Sequence, residues 1–137
     1  MSKAYILDAC AVIALLKGES GAKSVEEILV KSERDYSVYM NKFNLLEVYY
    51  GFYRSDGFEV AEKRAKAIRK SAIQIIDDLS DDTFGQAGRL KASYRISIAD
   101  SILLGKAITS GLIVVTSDHH EFDELEKKED IEFLWIR

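Results

Sequence analysis

The sequence predicts an α/β fold: a mostly parallel central sheet with helices on both faces, in three layers. Three observations predict it. Short apolar, β-rich runs recur along the chain as AYIL, DYSVYM, AIQII, LIVVT and IEFLWI. Longer stretches with apolar residues at helical spacing separate them, the pattern of βαβ units whose crossovers cover a parallel sheet. Two of the runs lead straight into an aspartate, Asp8 after AYIL and Asp118 after LIVVTS. That edge, outside the carboxyl ends of the strands, is where such sheets bind ligands.

Residues 4–7 form the first strand, and Ala9 to Lys17 a short apolar helix closed by Gly18. Gly21 to Lys31 carries Ala22, Val25, Ile28 and Leu29 at helical spacing. Residues 35–40 alternate and read as the second strand. Asn41 or Asn44 caps the next helix, which runs through Tyr53 and stops at Ser55-Asp56-Gly57. Glu59 to Ser71 is a charged helix with Ala61, Ala65 and Ile68 inward, followed by a third strand at 72–76. Ser80 caps a helix through about Tyr94, with acids in its first turn. Ser97 or Ile98 opens another, ending at Ser110-Gly111. LIVVT (112–116), an acidic helix at about 120–128 and a last strand at 131–136 complete the chain.

A length of 137 residues suits one domain with one sizeable core, spanning 1–137. A net charge of -4 argues against a protein that coats nucleic acid through bulk positive charge, though not against an enzyme with local basic residues. Cys10 is the only cysteine, so no internal disulfide forms and a reducing cytoplasm is the expected setting. Asp8 interrupts what would be a signal-peptide core, and no apolar stretch approaches the roughly 20 residues that span a bilayer. No membrane partner is expected. Without proline, the turns fall to Gly, Asn, Asp and Ser.

Two further acids interrupt apolar runs, Glu47 within FNLLEVYY and Asp100 within ISIADSILL. Carboxylates that converge at one sheet edge repel one another unless a cation neutralises them. A divalent metal among carboxylates usually works on phosphates, and Mg²⁺ or Mn²⁺ is the expected ion. Asp8, Glu47, Asp100 and Asp118 are thus both the candidate ligands and the candidate catalytic residues. Each also has an ordinary explanation: Asp8 as a helix cap, Glu47 as a solvated helix residue, Asp100 as a first-turn acid, Asp118 as a turn residue. Thr116 and Ser117, hydroxyls beside Asp118, are candidates for its hydrogen-bonded support.

The wording around these acids is more specific than their spacing. YILDACAVIALL, NLLEVYY, SIADSILLGKA and GLIVVTSDHHEF together resemble the PIN-domain ribonucleases, particularly the VapC-type toxins of toxin–antitoxin modules, across nearly the whole chain and in family order. The resemblance implies a PIN-like three-layer sandwich, Mg²⁺ or Mn²⁺ held by Asp8, Glu47, Asp100 and Asp118, endonucleolytic cleavage of RNA with water as nucleophile, and a cognate antitoxin. Cys10 departs from it, standing where the family usually has Ser or Thr to support the first Asp; a thiol bonds a carboxylate less well. The His119-His120 pair also falls outside the pattern and is expected on loop surface near the site.

Lys63, Arg64, Lys66, Arg69 and Lys70 form a basic run that reads as a wall for RNA backbone, with Arg89, Lys91 and Arg95 as a second one; a solvated face is the plainer explanation. The aromatics Phe43, Tyr49, Tyr50, Phe52 and Tyr53 are too spread for one helix face, which suggests part core and part partner or homodimer surface. Other classes fit less well. A haloacid-dehalogenase-type phosphatase needs an Asp where Cys10 stands. A receiver-type switch needs adjacent acids after the first strand and a late Lys, whereas this chain ends Trp135-Ile136-Arg137. A zinc site of Cys10, Asp8 and His119 or His120 lacks the spaced Cys/His pairs such sites use. A PIN-like binding module without activity is the remaining alternative.

Overall fold

The computed structural model describes residues 3–32 and 34–137. Among them the elements run β1 (Lys3–Leu7), α1 (Ala9–Lys17), α2 (Ala22–Lys31), β2 (Tyr36–Asn41), α3 (Lys42–Asp56), α4 (Phe58–Lys70), β3 (Gln74–Ile76), α5 (Asp81–Ser93), α6 (Ile98–Ser110), β4 (Ile113–Thr116), α7 (His119–Lys128) and β5 (Phe133–Trp135). The strands form one sheet in the order β3-β2-β1-β4-β5, and every pairing is parallel. The chain winds outward through β2 and β3, then returns to lay β4 and β5 on the far side of β1. The order reverses between β1 and β4, the switch point at which such sheets have their ligand-binding crevice, outside the carboxyl ends of the strands.

Helices cover both faces of the sheet, so side chains from both sides of its inner strands enter apolar layers. Tyr5, Leu7, Val38, Met40 and Val115 face a core built with Val12, Val25, Val48, Phe52 and Ile68 from α1–α4. Ile6 and Val114 point the other way, into Leu90, Leu103, Leu104, Phe122 and Leu125 from α5, α6 and α7. The result is the expected three-layer sandwich.

Capping residues set the helix starts. Asp8, Asn41, Ser80, Ser97 and Asp118 each accept a hydrogen bond from a backbone N–H of the turn that follows. Gly18 and Gly111 end α1 and α6 at φ 65, the left-handed conformation glycine adopts without strain. Gly105 serves packing instead. A Cβ there would lie 2.9 Å from the Ala87 nitrogen and 3.1 Å from the Thr83 oxygen, so its bare Cα lets α6 press onto the α5 backbone.

The element boundaries differ from expectation at a few ends. Asn41 rather than Asn44 caps α3, which continues past Tyr53 to Asp56. The third strand shortens to Gln74–Ile76 because the Ser71 hydroxyl accepts the Ile73 N–H at 3.1 Å, holding the preceding residues in a turn. The acidic helix starts at His119, since Asp118 itself is the cap.

Candidate metal centre

The crevice gathers acids from three separate elements. Asp8 follows β1 and caps α1, Glu47 sits in the second turn of α3, and Asp100 lies in the first turn of α6. One carboxylate oxygen from each lies within 4.8 Å of the others. Asp118 is outside that group; its side chain accepts the Glu121 N–H at 3.1 Å as the cap of α7. Its charge still bears on the cluster, adding to the repulsion that raises the Asp8 and Asp100 carboxyls.

Each acid is held by its own framework. Asp8, only 4% exposed, accepts the Ala9 N–H on Oδ1 at 2.7 Å and the Thr116 hydroxyl on Oδ2 at 2.8 Å. The Cys10 thiol donates to the same Oδ2 at 3.3 Å, and Cys10 Sγ receives the Ser117 N–H at 3.4 Å. The Thr116 hydroxyl in turn accepts the Asp118 N–H at 3.0 Å, so one buried side chain joins the ends of β1 and β4 to the start of α7. Ser117 therefore takes part through its backbone. Burial and the neighbouring Asp8 push the Cys10 thiol up, away from thiolate character.

Glu47 is aimed by a chain of amides. Asn41 Nδ2 donates to Asn44 Oδ1 at 2.6 Å, and Asn44 Nδ2 donates to Glu47 Oε1 at 2.7 Å. Both asparagines are buried, and at sequence level they read only as alternative caps. The signal was available: Asn, Asn and Glu recur every three residues, one side of a helix. Asp100 is set by Ser97, whose hydroxyl accepts the Asp100 N–H at 3.0 Å.

Burial and mutual repulsion leave these carboxyls reluctant to ionise. Asp100 is pushed up to about 8, first by burial and then by Asp8 and Glu47. Burial also raises Glu47 against the Asn44 hydrogen bond, and Asp8 against those from Thr116, Cys10 and Ala9. Among the described residues, none of the ion pairs engages Asp8, Glu47 or Asp100. An all-oxygen, multiply acidic donor set with no internal counter-cation fits a hard divalent ion such as Mg²⁺ or Mn²⁺.

The surrounding charges are less available than a count suggests. Arg64 lies over the Phe52 ring at 5.2 Å, with its Nε buried and unpartnered. Arg89 forks onto Glu129 at 2.8 and 3.2 Å, and Lys91 Nζ donates to the Ile96 carbonyl at 2.7 Å. Lys63, Lys66, Arg69, Lys70 and Arg95 remain exposed. His119 is not loose loop surface. It opens α7, stacks on Trp135 at 3.8 Å, and has ring nitrogens 2.8 Å from Asp123 Oδ1 and 2.9 Å from the Arg137 backbone oxygen.

Both of those partners are acceptors, and only an imidazolium donates from both nitrogens. Asp123 and the Arg137 oxygen accordingly raise His119 above its ordinary value. A raised folded-state pKa means that this clasp stabilises fully below the unfolded-state value and fades as pH rises through the folded one. Titration by NMR should show His119 above the ordinary 6.5, with Asp123→Asn lowering it. A midpoint at or below the ordinary value would disprove the double donation.

No curated protein matches the sequence. Solved structures share its fold across nearly its whole length. A DNA-bound VapBC from Salmonella typhimurium superposes with a TM-score of 0.76 at 19% identity, covering 100% of both chains. VapBC2 from Rickettsia felis, bound to a promoter DNA fragment, gives 0.75 at 18%, covering 96% of this chain and 97% of that one. VapBC-1 from nontypeable Haemophilus influenzae gives 0.73 at 16%, covering 97% and 98%. The family model for the PIN domain matches residues 5–128, and with that match over most of its length the chain belongs to the PIN-domain family.

Proposed function

We propose that the chain is a divalent-metal-dependent endoribonuclease cutting single-stranded or looped RNA, and the toxin of a toxin–antitoxin pair. The observation that carries the enzymatic part is the convergence of Asp8, Glu47 and Asp100 within 4.8 Å at the crevice of a PIN fold. The toxin reading draws on the solved structures with this fold, among them a toxin–antitoxin complex from Klebsiella pneumoniae and the VapBC complexes above.

Asp8, Glu47 and Asp100 would hold Mg²⁺ or Mn²⁺, with Asp118 as a fourth acid at the rim. The chemistry such an ion supplies is Lewis acidity toward the phosphate and a lowered pKa for water. The protein's own part is positional. Thr116 and Cys10 orient the Asp8 carboxylate, while Asn41 and Asn44 aim Glu47. Lys63, Lys66, Arg69 and Lys70 would carry RNA backbone contacts, since Arg64 and Arg89 are engaged within the fold, and exposed Arg95 would meet RNA beside the acids. Phe43, Leu46, Tyr50 and Tyr53, all exposed on α3, would supply apolar surface for the antitoxin or a second copy.

Cleavage of an unstructured RNA should require Mg²⁺ or Mn²⁺ and stop on chelation. Undiminished cleavage in excess EDTA by protein freed of contaminating nucleases would sink the proposal. Metal binding should also raise the melting temperature, and more so near pH 8 than near pH 5, because the ion displaces the proton that Asp100 holds until about 8.

A further inference from the structure

We propose that the cleft between the α5–α6 loop and the first turns of α7 is a nucleobase subsite, and that it takes an unpaired guanine beside the scissile phosphate. The inference rests on the nuclease reading above. A cavity of about 370 Å³ is lined by Tyr94, Arg95, Ile96, His120, Glu121 and Glu124, among others. A second, of about 580 Å³, shares Tyr94, Arg95, Ile96 and Glu121 and extends to Ser97.

Two hydrogen bonds tie this cleft to the acids. The Ser97 hydroxyl on its wall accepts the Asp100 N–H at 3.0 Å, and the Glu121 N–H donates to the Asp118 carboxylate at 3.1 Å. An RNA strand with one phosphate at the acid cluster would then present a neighbouring nucleotide to this cleft. The chemistry of the walls selects what enters. Glu121 and Glu124 both line the space, so a bare phosphate is repelled. A base that offers both donors and acceptors is complemented instead.

Glu124 already receives the Lys128 ammonium at 2.6 Å, which leaves half-buried Glu121 as the freer acceptor. A carboxylate can take two parallel N–H donors, and guanine alone among the common bases carries such a pair on its N1 and 2-amino nitrogens. Arg95 and His120, both exposed at the rim, are placed to donate to its O6 and N7 acceptors. Buried Ile96 and Leu125 give the cleft an apolar floor for the ring. Reading an unstacked base by its Watson–Crick edge is how single-stranded RNA is ordinarily distinguished.

The test uses short RNAs identical except at one position beside the cut, carrying guanine, inosine or adenine there. Inosine keeps N1–H but lacks the 2-amino group. In Mn²⁺ the wild type should prefer guanine over adenine by roughly 10-fold or more in kcat/KM, with inosine between. Glu121→Gln should collapse that preference while keeping the Mn²⁺-induced rise in melting temperature. The same RNAs bound to the Asp100→Asn protein, followed by fluorescence anisotropy, should show the same ranking without turnover. Equal affinities in that series, or an unaltered preference in Glu121→Gln, would overturn the subsite. A wild type that cuts none of the RNAs would overturn the nuclease reading instead, and the binding ranking would still decide the subsite.

Discussion

Replacing Asp100 with Asn is expected to abolish metal-dependent cleavage and at the same time stabilise the metal-free protein. The first effect follows from removing one of three converging carboxylates, a loss of several kcal/mol at the transition state and so roughly 10²–10³-fold or more in rate. The second follows from the repulsion. Asp100 ionises at about 8 in the folded protein, far above its ordinary value of 3.8. Below the ordinary value both states are protonated and the residue costs nothing. As pH climbs toward about 8 the unfolded chain ionises while the folded one keeps its proton, so the folded state loses ground; above that the loss is constant. An amide does not ionise. The gain of Asp100→Asn over wild type in metal-free buffer should therefore grow from near zero around pH 4 to its largest value around pH 8. Thermal melts across that range decide the matter. A variant less stable than wild type at every pH would make Asp100 a structural residue.

Filling Gly105 should have the largest effect on stability away from the acids. Its missing Cβ is what lets the α6 backbone approach Ala87 and Thr83, and the atoms in the way are backbone, which cannot rotate aside. Gly105→Ala gains about 1 kcal/mol in helix propensity but forces α5 and α6 apart, and overpacking of that kind costs about 1–3 kcal/mol. Gly105→Val adds more bulk and should lower the melting temperature by about 5–10 °C at roughly 2–4 °C per kcal/mol. Gly51 is the control. It lies inside α3, where an added Cβ would meet nothing within 4 Å, so Gly51→Ala should raise the melting temperature by about 2–3 °C. Equal effects at the two positions would show that helix propensity, not close packing, sets the requirement at Gly105.

The sheet and its helices were legible because the inner strands are buried on both faces and the turns carry their own chemistry. Asp8, Ser80, Ser97 and Gly111 mark element ends by rules that act over three or four residues. The acids stood out for a related reason: each interrupts an apolar run. What sequence could not show is how distant side chains dispose of one another. Arg89 reads as a free cation until Glu129, forty positions on, folds against it. Arg64 reads the same way until α4 lays it over Phe52. Asp118 follows its strand and caps its helix as Asp8 does, yet the fold leaves it outside the group of three. His119 reads as open surface beside Asp118, but β5 brings Trp135 and the Arg137 oxygen to it from the end of the chain.

The strand order has a consequence for synthesis. The ribosome delivers Asp8 and Glu47 early, and β1 can pair with β2 as soon as both have emerged. Asp100 comes much later, and the opposite flank of β1 stays bare until β4 arrives with Thr116 to fix the Asp8 carboxylate. At about 5–20 residues per second, the interval between Glu47 and Asp100 alone lasts on the order of 3–10 s. Until then the nascent chain has no converged cluster with which to bind an ion, and the pairing that spans the most chain comes late. A half-translated copy therefore lacks Asp100 and the Thr116 support of Asp8, and under the proposed function it would cut no RNA.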